Sequence, residues 1–392
     1  MKILQIVGGV DEAWGGPSKV VVELSAELAR RGHDVEIVTT NVAAGYARLP
    51  VPLSVPLEAA GGYRLRYHRA DLAGPPFLSV GQLVDVWRRA RDFDIAHVHG
   101  LFNAPVSGAQ AILRALGVPY VVRACGMLDP YSLAQRGRLK AAYYRVLERP
   151  NLEGAERIHV STRLEAEAAA ALGLTTPIAI IPQGVDPAGT PDLARPHPRP
   201  YLLFLSRVAR KKGLLLLIDA FAAMAARWPE LDLVIAGPDE HGHLARVQER
   251  AAARGLAARV RFTGMVRGVE KATWLGHAEA FALPSDDENF GVVVVEAVQL
   301  GVPVVVSDQV GLADAVAEHG AGEVVPRDEA ALVAALERVL ERGRPAYAAA
   351  CAAMAERFRW ESAARRVEAL YVEVLAARAA SGGGGARAAE PR

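Results

Sequence analysis

Cysteine is nearly absent from this sequence: Cys125 and Cys351 are the only two in 392 residues, and neither belongs to a C-x-x-C pair. Two distant thiols make neither a disulfide framework nor a cysteine-rich zinc site, and such usage fits a reducing compartment. Lysine is scarce too, with six residues, none in a context suited to a Schiff base with pyridoxal phosphate. An excess of one charge is lacking: 45 basic against 44 acidic side chains leave +1, so no general field attracts polyanions and nucleic acid is not an expected partner. No uncharged apolar run of about 18 residues occurs, so the chain is expected not to span a membrane. The five-residue apolar run in MKILQIVGG is too short for a signal h-region and no small-residue cleavage site follows it, so it reads as a strand of the mature protein. The loop after it is not G-x-G-x-x-G, which removes the dinucleotide fingerprint.

What is present is the balance of a globular protein, 51% hydrophobic and 23% charged residues. The chain is too long for one ordinary core, and two domains of roughly 180 residues are expected. Strands are predicted over 3–7, 35–39, 63–67 (edge-like), 95–99, 119–123, 157–161 and 178–181, with helices over 18–31, 79–91, 104–116, 133–148 and 163–172. Residues 41–62 read as a loop. Six prolines between 182 and 200 mark a linker. A second cycle of strands and helices then runs from Tyr201 to about 342, a helix follows over 361–377, and the tail 379–392 has nothing to bury and is expected to be disordered.

The stretch 281–308, FALPSDDENFGVVVVEAVQLGVPVVVSD, reads as strand, polar loop, helix and strand. Open α/β sheets bind ligands at such a strand's carboxyl end. Four β-branched residues, Val292–Val295, favour a strand locally, but too few residues would then remain for a parallel crossover, so connectivity favours the helix. On one helix Glu288 and Glu296 would project from nearly one face roughly 12 Å apart, a spacing suited to an elongated, hydroxyl-rich ligand. Arg207 and Lys212, with Lys211 as an adjacent alternative, place cations between a strand and a helix N-terminus, as a pyrophosphate would require. Gly15 and Gly16 either let backbone approach a phosphate or sugar or simply make a turn. His97 and His99 share one strand face; a metal site lacks a third ligand, and lining a cleft is the commoner use. Asp92-Phe93-Asp94 matches D-x-D but precedes a strand far from the acidic loop and reads as structural. Residues 133–148 carry a basic amphipathic face, suited either to solvent or to an anionic membrane leaflet.

The string P-S-x-x-E-N-F-G-V-V-V-V-E-A-x-x-x-G-x-P-V-V-x-S over 284–307 resembles the signature of the retaining glycosyltransferases of family 4, including those of bacterial polysaccharide and lipopolysaccharide synthesis, and Gly32-His33-Asp34-Val35 resembles their G-H-x-V. The resemblance implies an α/β GT-B fold, two Rossmann-like domains facing a cleft with a C-terminal helix crossing back to the first. It implies an acceptor-side domain over 1–181 plus 361–378, the linker 182–200, and a donor domain over 201–358. The implied donor is a nucleotide-diphosphate sugar, with no cofactor and no metal. Glu288 would contact the donor sugar, Glu296 the ribose hydroxyls, Arg207 and Lys212 the diphosphate, and backbone N–H groups around Phe290, Gly291 and Val292 the sugar and phosphate. Gly237 and Met265 would flank the base, Gly15 and Gly16 would also approach the donor, and Glu288, Arg207 and Lys212 would carry catalysis. On the acceptor side stand His99, Arg123 and Cys125. The family commonly has His or Arg at the last of these positions, and Arg123 is the nearest substitute. The acceptor would be a glycan or a polyprenyl-linked saccharide reached at the cytoplasmic membrane face. A sugar-nucleotide epimerase and a non-catalytic sugar-nucleotide sensor are the alternatives.

Overall fold

The first strand shows how the fold is built: Leu4 and Ile6 pack into one buried cluster, Ile3 and Val7 into another, so a period of two supplies both faces of one sheet. The structure, a computed structural model, describes residues 1–11, 16–72, 74, 77–134 and 137–382. The chain divides into two units, Met1–Gly184 together with the segment from Trp360 onward, and Val185–Arg359.

In the first unit eight strands, β1 (Lys2–Val7), β2 (Asp34–Thr40), β3 (Pro56–Glu58), β4 (Arg64–His68), β5 (Ile95–His99), β6 (Tyr120–Arg123), β7 (Arg157–Val160) and β8 (Ile178–Ile180), lie in the order β3-β4-β2-β1-β5-β6-β7-β8. Every pair is parallel except β3 with β4. One edge is therefore β3, inside the stretch expected to be only loop, while the strand predicted as edge-like is paired on both sides. Helices cover both faces, as a parallel sheet requires. The final helix, Trp360–Gly382, buries Ala364, Val367, Leu370, Tyr371 and Val374 in the cluster that holds Ile3 and Val7. It continues four residues past the expected start of disorder, because Arg378 bonds Glu156 at 2.7 Å and the Gly117 carbonyl; 383–392 lie outside the described residues.

The basic segment 133–148 is not one helix. Helices Pro130–Ala134 and Gly137–Tyr143 are followed by a π-helical turn, Tyr144–Glu148, and by helix Arg149–Glu153. The wider turn brings Glu148 inward, where its Oε1 accepts from Phe102 N at 2.5 Å and from Ser107 Oγ at 2.6 Å. Arg136 lies outside the described residues.

In the second unit six parallel strands, β9 (Tyr201–Leu205), β10 (Asp232–Ala236), β11 (Val260–Gly264), β12 (Ala280–Leu283), β13 (Val304–Ser307) and β14 (Gly322–Val325), run β11-β10-β9-β12-β13-β14. Strand order reverses between β9 and β12, which opens a crevice at their carboxyl ends. In the first unit β1 and β5 have the same relation. Residues 185–200 form no helix or strand and belong to the second unit, so the division falls inside the proline-rich stretch.

Candidate functional site

In the second unit two loops meet at the crevice. After β9 the chain runs through Arg207 and a 3-10 turn, Arg210–Lys212, into helix Leu214–Met224; after β12 it runs through Pro284–Gly291 into helix Val292–Gln299. A Cβ at Gly213 (φ +70°) would stand 1.8 Å from the Pro284 carbonyl oxygen, and one at Gly237 (φ +139°) would stand 1.8 Å from that of Ser206. Both positions need glycine, for conformation and for space.

This approach brings Lys212 onto Glu288. Lys212, 4% exposed, donates through Nζ to the Glu288 carboxylate, whereas Lys211 turns to Asp287 Oδ2 at 2.9 Å. Glu288 is fixed from behind, its N–H donating to the Gln309 carbonyl at 3.1 Å and its own carbonyl accepting from Gly311 N at 2.8 Å. It does not share a helix with Glu296, as the eight-residue spacing suggested. The helix starts at Val292, behind Gly291 at φ +90°, and no side chain caps it. The valine run is helical because Val294, Val295, Ala297 and Val298 are buried, so packing overrides local β preference. The Phe290 ring belongs to the core, edge-on to Phe358 at 5.9 Å, leaving its backbone at the loop. Val292 is exposed.

Glu296 is buried; its Oε1 accepts from Lys271 Nζ at 2.6 Å, while Oε2 has no protein partner. Lys271 escaped the sequence reading, although scarcity could have exposed it. Three of the six lysines, Lys211, Lys212 and Lys271, each pair with an acid of the 284–296 stretch. Arg207 is 55% exposed and pairs with Glu240, not with Glu288. Met265 is half-exposed, its sulfur 3.1 Å from Arg267 Nε. Gly16 opens helix Gly16–Arg30 with open space around it, so nothing in the fold demands glycine there; Gly15 lies outside the described residues.

In the first unit His97 and His99 are buried with a third ring that the sequence reading did not place, His159. Hydrogen-bond logic fixes their tautomers. His159 Nε2 faces the Ile181 carbonyl at 2.8 Å and must carry hydrogen, so its Nδ1 accepts from His97 Nε2 at 3.2 Å, and His97 Nδ1 accepts from the Tyr371 hydroxyl at 2.7 Å. Gln5 donates to that hydroxyl at 3.3 Å and accepts from His99 Nε2 at 2.6 Å, leaving His99 Nδ1 buried without a partner. Burial, with the positive charge of Arg123, holds all three rings neutral and pushes His159 down to about 3. Arg123, ending β6, reaches Cys125 Sγ at 3.2 Å. In D-x-D, Asp94 Oδ2 accepts from Lys2 N at 2.7 Å, a structural contact.

Residues 189–359 match the family described as glycosyl transferases group 1, and residues 15–184 match the glycosyl transferase 4-like domain. The chain belongs to the family 4 glycosyltransferases and has their GT-B fold: it is a sugar-transferring enzyme. It is 30% identical over 379 residues to a phosphatidyl-myo-inositol mannosyltransferase of Mycolicibacterium smegmatis, covering 93% of this chain and 91% of that one. A D-inositol 3-phosphate glycosyltransferase of Frankia alni is 30% identical over 407 residues, with 92% and 95% covered. Among solved structures, sucrose-phosphate synthase from Thermosynechococcus elongatus superposes with a TM-score of 0.69 at 22% identity, covering 96% of this chain and 100% of that one. Anabaena HepE in complex with UDP gives 0.68 at 17% identity, with 95% and 100% covered.

Two outcomes are expected. Gly213→Ala should cost about 2 kcal/mol or more in urea unfolding, from left-handed strain plus the clash with Pro284. For the histidines, the unfolded state takes up protons near 6.5 that the folded state refuses. Their contribution to stability is therefore complete above that pH and is lost as pH falls toward about 3. His159→Gln should show a shallower loss of unfolding free energy across that window, whatever its stability at neutral pH.

Proposed function

We propose that this enzyme moves a hexosyl group from a nucleotide-diphosphate sugar to a hydroxyl of a glycan or lipid-linked acceptor, with retention of anomeric configuration. The observation that carries the reading is the pairing of buried Lys212 with half-buried Glu288 at the strand-order reversal, next to an uncapped helix N-terminus. The Val185–Arg359 unit would bind the donor, and the Met1–Gly184 unit with its final helix the acceptor. Diphosphate would take the N–H groups of helix Val292–Gln299 together with Lys212, and Arg207 would exchange Glu240 for a phosphate oxygen. These groups, rather than a metal ion, would carry the leaving group's charge. The unpartnered Oε2 of Glu296 would accept from a ribose hydroxyl, and Glu288 from the sugar. The diphosphate departs and the acceptor attacks the same face, with no protein nucleophile.

The relatives' names bring inositol phosphates and inositol lipids into the acceptor class. No helix among the described residues is long and apolar enough to cross a membrane. Leu139 and Val146, each 76% exposed, stand beside exposed Arg138 and Arg145 on 137–148, which supports contact with an anionic leaflet.

A panel of nucleotide sugars against lipid-linked, inositol-bearing and glycan acceptors, with and without EDTA, tests the reaction; turnover of donor to an epimer, or no turnover with any acceptor, would end the reading. Within it, Glu296→Ala should weaken nucleoside diphosphate binding in calorimetry, while Glu288→Ala should leave that binding intact and lower kcat. Equal loss of binding in both variants contradicts the assignment. Arg207→Ala, exposed as Arg207 is, should cost about 0.5–1.5 kcal/mol in kcat/KM.

A further inference from the structure

Helix Val80–Arg89 carries an apolar ridge that the first unit does not bury. Val80, Val84 and Trp87 recur at helical spacing and are 52%, 40% and 56% exposed, while Gln82 and Val86 fill the buried side. Leu72, 55% exposed, extends the ridge, because its N–H and carbonyl exchange hydrogen bonds with Leu78 at 3.3 and 3.1 Å just ahead of the helix. Beside the ridge runs an apolar groove of about 240 Å³ lined by Val80, Leu83, Val84, Trp87 and Ile112. A half-exposed indole next to an apolar groove has the form of anchor and pocket in a protein interface.

The charges at the two ends of the ridge point to its occupant. Arg89 turns inward to Glu36 at 2.7 Å and takes Asp85 with it at 3.1 Å. The exposed charges stay single: among the described residues no ion pair includes Arg69 or Asp71 at the amino end, or Arg88, Arg91 or Asp92 at the carboxyl end. Asp71 is held at the helix start, its Oδ2 accepting from Val80 N at 2.7 Å, while nearby Arg48 is spent on the Ala70 and Asp71 carbonyls at 3.0 and 3.3 Å. Each end therefore offers both signs. An anionic leaflet would meet Asp71 and Asp92 together with the arginines, and a flat surface leaves the groove empty. A second copy related by a two-fold axis near Val84 lays its own helix antiparallel, so that the acid of each end faces arginine of the other.

We propose that helix Val80–Arg89 is the centre of an isologous interface between two copies of this chain. Trp87 of each copy enters the groove of the other, and Asp71 and Asp92 meet the unpaired arginines across the axis. One ten-residue helix makes a patch at the small end of specific interfaces, so the dimer dissociates at roughly 1–100 µM.

The test is sedimentation equilibrium of the full chain from about 1 to about 200 µM, which brackets that constant. The unaltered chain should pass from monomer to dimer, and Trp87→Ala should raise the dissociation constant about ten-fold or more, as loss of an aromatic anchor does. Arg91→Asp should weaken the dimer, and Asp71→Arg combined with Arg91→Asp should restore it. Val84→Cys, close to the axis, should give a disulfide-linked dimer on mild oxidation. The unaltered chain, with only Cys125 and Cys351, and Val372→Cys, 55% exposed on the final helix, should not. The substituted side chains are all exposed, so these variants keep the fold. A chain that stays monomeric at the highest concentration, or a dimer indifferent to both Trp87→Ala and Arg91→Asp, overturns the proposal. So does a monomer whose binding to vesicles of phosphatidylglycerol and phosphatidylcholine is lost in Trp87→Ala, which would give the ridge to a membrane. None of these measurements uses turnover, so the dimer and the sugar transfer stand or fall separately.

Discussion

The contact on which the second unit's chemistry depends is the approach of the Gly213 backbone to the Pro284 carbonyl, tight enough that no Cβ fits. It binds the loop after β9 to the loop after β12 with no side chain between them. Asp286 N donating to the Lys211 carbonyl at 2.7 Å closes the same seam one step further out. Lys212 is then carried below the surface with Glu288 the acid within its reach, and a cation that would otherwise be a solvated surface charge becomes a fixed one. A half-buried pair of this kind contributes little to net stability, because desolvation of the lysine offsets most of its attraction. Its value lies in position, since both charges are held before any ligand arrives.

The same economy appears in how lysine is used. Arginine dominates the surface ion pairs, where a long and permanently charged side chain is sufficient. Three of the six lysines stand in the loops around the crevice and at Glu296, where a compact cation fits beneath a carboxylate. The first unit takes the opposite course. At the carboxyl end of β5 the buried groups are a directed chain of neutral donors and acceptors running through His159, His97 and Tyr371, with Gln5 and His99 beside it, and the two units therefore present different electrostatic surroundings at corresponding ends of similar sheets.

Much of this was legible beforehand, and for stated reasons. Alternation and proline punctuation located nearly all the strands, because parallel strands buried on both faces leave strong apolar runs. The acidic loop and the cations after β9 were readable because they fall between a strand and a helix. What could not be read were events set by tertiary contact. Glu148 turning inward onto Phe102 and Ser107 breaks a segment whose periodicity looked like one helix. Lys271 meets Glu296 only through packing of helix Gly268–Gly276; the scarcity of lysine could single the residue out, but not its partner. His159 on β7 joins His97 on β5 across β6, a neighbourhood that exists only once strand order is known.

The Tyr371 hydroxyl has a bearing on how the chain is made. It completes the hydrogen bonding of His97 and Gln5, and the helix that carries it covers one face of the first sheet. A ribosome emits β1–β8 long before residue 371, and the whole of Val185–Arg359 emerges in between. During synthesis the second unit therefore has all its residues before the first has its last helix. The nascent chain must carry an open apolar face, with Ile3, Val7 and Ile95 uncovered, through roughly ten to forty seconds of elongation at about 5–20 residues per second. That interval, rather than the finished fold, is where a chaperone would find its purchase on this protein.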